Sequence, residues 1–122
     1  MQKAIRINSE EPKKPTRFFS NNQEKQIVSS IGGRQTSNSG ATYHTKGDVL
    51  IGEGTKNSWL IEAKTCTTPK ESFSIRKEWI TKNRQEMVYM GKRNQAIVFN
   101  FGPNQENFYI LDEDTFKELS GL

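Results

Sequence analysis

The chain has 122 residues, with 18 Lys and Arg against 14 Asp and Glu and a net charge of +4. That length suits one domain with a single sheet and two or three helices, and a hydrophobic fraction of 32% with a mean hydropathy of −0.82 points to a small core. No apolar run approaches the roughly 20 residues that span a bilayer and no signal-peptide core follows Met1, so a cytoplasmic protein without membrane contact is expected. The single Cys66 excludes an internal disulfide and a Cys-based zinc site.

The charge is uneven. Residues 1–47 carry eight Lys and Arg against three acids and residues 73–95 carry six against two, whereas residues 96–122 sum to −4. Two basic segments therefore flank a near-balanced middle. That is the pattern of a polyanion track leading to an acidic site, or of two ordinary solvated faces.

Residues 1–17 hold two prolines and five Lys and Arg, and read as a mobile basic arm. Such an arm follows a phosphate backbone, wraps a partner subunit or is a plain tail. Residues 18–122 form the domain proper. A helix is predicted over residues 20–31: Ser20 with Gln23 three residues on makes a capping-box pattern, and Gly32-Gly33 supplies the stop. Its apolar stripe is Ile27, Val28 and Ile31. Glu24 lies three and four residues before Ile27 and Val28, on the same side. An acid there is costly unless it is paired or holds a metal, and a surface Glu at the edge of the stripe is the alternative. Residues 33–44 are polar and irregular, and Arg34, Ser37 and Ser39 sit where side chains and amides hold phosphates.

A hairpin is predicted over residues 47–65. Asp48 opens its first strand just after Lys46, and the polar turn over residues 52–57 folds the second strand back. Alternation puts Glu62 and Lys64 on one face with Ala63 on the other. The hairpin can thus bring Asp48 beside Glu62 and Lys64. Two carboxylates with room for water suit Mg²⁺, and an adjacent lysine can position or activate the attacking water. The plainer alternative is a surface Glu–Lys pair on an edge strand. After the breaker over residues 67–70, a helix over residues 74–90 carries Ile75, Trp79, Ile80, Met87 and Met90 on one stripe. Lys82 and Gln85 lie on one flank, Lys77 and Arg84 on another. A central strand over residues 95–101, a strand over 108–111 and a short helix over 112–119, capped by Asp112 or Asp114, complete the chain.

This order resembles the PD-(D/E)xK nuclease superfamily over residues 18–101: a helix with an acid, a hairpin carrying Asp48 and Glu62-Ala63-Lys64, a long helix with a glutamine, and a strand. Gly47 stands where that signature usually has proline. Within the superfamily the chain is most similar to small Holliday junction resolvases of archaeal and phage type, on Glu24, Arg34 with Ser37 or Ser39, Asp48, Glu62, Lys64 and Gln85. The resemblance implies an α/β (mixed α+β) restriction-endonuclease-like core with a central mixed sheet. It also implies Mg²⁺- or Mn²⁺-dependent cleavage of branched DNA by a homodimer in a bacterial or phage-infected cell. Asp48, Glu62 and the Ala63 carbonyl would be metal ligands, with Glu24 holding the metal or its hydration shell. Lys64 would orient the nucleophile and Gln85 would orient Lys64 or a water. Arg34, Ser37, Ser39, Lys46, Lys77, Lys82 and Arg84 would hold the DNA backbone. Two alternatives stay open: another nuclease of this type cutting duplex, flap or single-stranded DNA, or a non-catalytic basic nucleic-acid-binding module.

Overall fold

The structure is a computed structural model and describes residues 14–36 and 48–122. Among the described residues the fold is mixed α/β, with three helices around a five-stranded mixed sheet. In chain order the elements are α1 (Thr16–Ile31), β1 (Arg34–Gln35), β2 (Val49–Ile51), β3 (Trp59–Lys64), α2 (Lys77–Tyr89), β4 (Asn94–Phe99), β5 (Phe108–Ile110) and α3 (Glu113–Ser120). The strands lie in sequence order. Only β3 and β4 are parallel, and α2 is the crossover between them.

Register sorts the side chains onto two faces. Val49 opposes Ile61 and Ala63 opposes Val98. Those four residues, with Ala96, meet Ile27 of α1 in the core cluster. Leu50, Leu60 and Ile97 are buried on the other face, toward α2. Full burial of each such aliphatic side chain is worth about 1.5–3 kcal/mol. The centre of the α2 contact is polar: buried Asn83 donates to the Leu60 carbonyl (3.4 Å) and to the Gln95 side chain (3.0 Å).

The hairpin forms as expected, and its turn needs glycine. Gly52 has φ +64°, and a Cβ there would strike the carbonyl oxygen of Asn57. Asp112 caps α3 by accepting from the Thr115 amide at 2.7 Å. Three expectations shift. The first helix begins at Thr16, so Thr16 and Arg17 belong to it rather than to an arm, and Ser20 donates to the Arg17 carbonyl instead of capping. Ile31 is exposed, while Gln23 and Glu24 are buried beside Ile27. The second helix begins at Lys77, not at residue 74. No helix among the described residues is long and apolar enough to cross a membrane.

Candidate active site

β3 outruns β2 at its carboxyl end, and the site is built in that step. Val49 opposes Ile61, so the Ala63 N–H has no backbone partner on β2. Asp48 takes its place: its amide donates to the Ile61 carbonyl (3.0 Å) and its Oδ2 accepts from the Ala63 amide at 2.7 Å. A strand residue turns its N–H and C=O to the same edge. The Ala63 carbonyl therefore faces the Asp48 side.

Glu62 and Lys64 flank Ala63 on the α2 face, with Lys64 Nζ 3.3 Å from Glu62 Oε2. The same ammonium lies 4.5 Å from the centroid of the Trp79 ring, which holds it by a cation–π contact. Because α2 runs back along β3, its first turn reaches Lys64 and its middle reaches Leu60. Aromatic rings continue this wall: Phe73 stands 5.0 Å from Phe99, and Phe99 stacks on Phe108 at 5.6 Å.

Glu24 closes the site from α1. It is only 8% exposed, and its Oε1 accepts from Gln35 Nε2 at 3.0 Å. Burial pushes the Glu24 carboxyl up, against the Gln35 hydrogen bond, the Arg17 charge and a hydrogen bond to Asp48. Asp48 is pushed up to about 8, by burial first and then by the negative charges of Glu62 and Glu24; the Ala63 amide and Lys64 oppose that rise. Burial and the two neighbouring acids thus favour the protonated form of Asp48. A buried carboxyl flanked by two acids has a standing preference for positive charge.

The donor set that suits a divalent ion is the Asp48 carboxylate, the Glu62 carboxylate and the Ala63 carbonyl, all hard oxygens. Among the described residues, no three His, Cys, Asp and Glu side chains converge as a metal-binding group.

The remaining expected site residues fall elsewhere. Gln85 is exposed on α2, six residues past Trp79 and so about 9 Å along the helix axis, away from Lys64. Arg34 is held by Glu53 at the hairpin end through a two-pronged ion pair (2.8 and 3.0 Å). Arg34 opposes Leu50 and Gln35 opposes Val49, so it is Gln35 that lies toward Asp48. Lys77, Lys82 and Arg84 are exposed along α2, Lys77 in the turn nearest the site and Arg84 3.9 Å from Asp112. Ser37, Ser39 and Lys46 lie outside the described residues. Two contributors escaped the sequence reading, Arg17 and Gln35. The first sits in a proline-rich basic stretch, and the second in a polar run with no period to show its face.

No protein-family model matches the chain, and no curated protein or solved structure is measurably similar to it.

Proposed function

We propose that the chain is a metal-dependent DNA endonuclease of the PD-(D/E)xK type with a restriction-endonuclease-like core, and that a four-way junction is its substrate. One observation carries this reading: the Asp48 carboxylate bonds to the backbone amide between Glu62 and Lys64. It brings Asp48 beside Glu62 and Lys64, three of the residues on which the resemblance rests. The element order helix, three antiparallel strands, helix and parallel strand supports it further.

In this reading Asp48, Glu62 and the Ala63 carbonyl hold Mg²⁺ or Mn²⁺. The bound ion supplies positive charge against the scissile phosphate and lowers the pKa of water. Asp48 would serve there as a carboxylate, because a carboxylate and not a carboxylic acid is the ligand. Lys64, steered by Glu62 and the Trp79 face, offers its ammonium to the phosphate and orients the attacking water. Gln35 fixes the direction of Glu24. Lys77, Lys82 and Arg84 attract the backbone without reading bases. Paired cuts on a junction require two sites, hence a homodimer.

A second reading, cutting at a flap or single strand, is favoured by the aromatic wall beside Lys64, where Phe108 is 40% exposed and open to base stacking. The test is cleavage in Mg²⁺ of labelled junction, duplex, flap and single strand, with Glu62→Gln as control. Paired nicks on the junction alone are expected. Cutting only flap or single strand supports the second reading, and no metal-dependent cleavage of any substrate overturns both in favour of a binding module.

A further inference from the structure

On the α1 side of the same strand ends lies a cavity that the chemistry above does not use. Its volume is about 220 Å³, and its walls include Phe18, Phe19, Asn22 and Gln26 of α1, Thr65 just past β3, and Asn104 after β4. This lies below the roughly 300–1,000 Å³ of sites that enclose a drug-sized ligand, so it suits a single ring system. It also lies outside the carboxyl ends of two parallel strands, where open α/β sheets take their ligands.

The lining is amide and aromatic. Gln26 Nε2 donates to Asn104 Oδ1 (3.2 Å), leaving the other end of each amide able to donate or accept. The Asn22 side chain has no hydrogen-bond partner among the described residues. Phe18 is 39% exposed, edge-on to Phe19 at 5.3 Å, and carries Lys14 over its face at 4.3 Å. Asn104 holds φ +62°, the only non-glycine residue in that region among those described. Beneath the cavity, Gln23 is 2% exposed and spends its Nε2 on the Lys64 carbonyl (2.8 Å), while its Oε1 has no partner among the described residues.

A mixed set of amide donors and acceptors beside a phenyl face, without an acid in the lining, matches the edge and face of a nucleobase. We infer that this cavity holds one extrahelical nucleobase of the DNA strand whose phosphate lies at Asp48, Glu62 and Lys64. The inference rests on the endonuclease reading. The Gln23 bond to the Lys64 carbonyl and the adjacent Thr65 tie the two sites to neighbouring residues, so base and scissile phosphate belong to the same or the next nucleotide. A paired base is shielded inside the duplex, so the base must be flipped or already unpaired, as at a junction or flap. Phe18 stacks on it. Asn22, Gln26 and Asn104 bond its edge.

Two experiments on the full chain test this. In the first, 2-aminopurine replaces one base at a time in a junction and in a flap, and its fluorescence is followed on binding in Ca²⁺, without any need for cleavage. One position near the strand exchange or flap base is expected to respond in a way that Phe18→Ala and Asn22→Ala both abolish. A uniform response, or one unchanged in both variants, overturns the cavity. In the second, abasic substitution at that position is expected to lower wild-type cleavage roughly tenfold, the scale of one lost base–aromatic stack. That ratio should fall toward one in Phe18→Ala. Cleavage with no abasic sensitivity removes the base site and leaves the endonuclease standing. A localised 2-aminopurine response without cleavage of any substrate keeps the base site and removes the endonuclease.

Discussion

Replacing Asp48 with Asn should stabilise the metal-free protein while destroying its activity. Burial and the charges of Glu62 and Glu24 push Asp48 up to about 8 in the fold, against about 3.9 in an unfolded chain. The folded state keeps its proton between those values while the unfolded state has released it. Stability from this group is thus undiminished below about pH 4, falls as pH rises, and levels off above pH 8. At pH 7 the gap of about 3 units amounts to at most roughly 4 kcal/mol, and sharing the proton with Glu24 reduces it to about 2 kcal/mol. Asn carries no charge and its Oδ1 can still accept from the Ala63 amide, so the substitution removes the penalty and keeps the bond. Urea unfolding in EDTA at pH 4.5, 7 and 8.5 measures it. Asp48→Asn should gain about 2 kcal/mol at pH 7, slightly more at 8.5 and little at 4.5. A gain independent of pH, or a loss at pH 7, would refute the reasoning.

Three further outcomes follow from the same geometry. Glu62→Gln should weaken Mn²⁺ binding by calorimetry at least about tenfold; in wild type, binding at pH 7 should release about one proton, read from the dependence of the heat on buffer ionisation, and unchanged affinity with no proton release would remove the metal site as drawn. Gln35→Ala deletes the hydrogen bond that favours the Glu24 carboxylate, so the acidic limb of the pH–rate profile should move to higher pH with the plateau nearly kept; an unmoved limb would leave Gln35 without its positioning role. Gly52→Ala forces a left-handed φ on a side chain that meets the Asn57 carbonyl, and should cost roughly 1–3 kcal/mol in urea unfolding; a neutral result would mean the turn can re-form.

How much was legible depended on whether residues sat in a periodic segment. Alternation along β3 placed Glu62 and Lys64 on one face, and the short turn placed Asp48 beside them. The lone acid beside Ile27 pointed Glu24 inward, and the structure buries it there. Gln85 lies away from Lys64 for a physical reason. Helical period tells which residues share a flank, but not which end of the helix lies at the site. Because α2 runs back along β3, its first turn meets Lys64 and Gln85 is carried away. The place of Gln35 beside Glu24 was hidden because a two-residue strand in a polar run has no pattern to assign its faces. The amide cluster of Asn22, Gln23, Gln26 and Asn104 was invisible, since polar residues scattered over two segments converge only when β3 and β4 end side by side.

The most direct test of the central claim is single-turnover cleavage of a labelled four-way junction in saturating Mg²⁺ by wild type and Lys64→Ala, with binding of both measured in Ca²⁺. Removing the ammonium should slow cleavage by about 10³-fold, the scale of losing one preorganised charge at the reacting phosphate. Junction affinity should stay within about threefold, because the basic residues of α2 supply the phosphate contacts. Cleavage by Lys64→Ala at the wild-type rate would contradict the account, as would a wild-type protein that cuts no junction in any divalent metal.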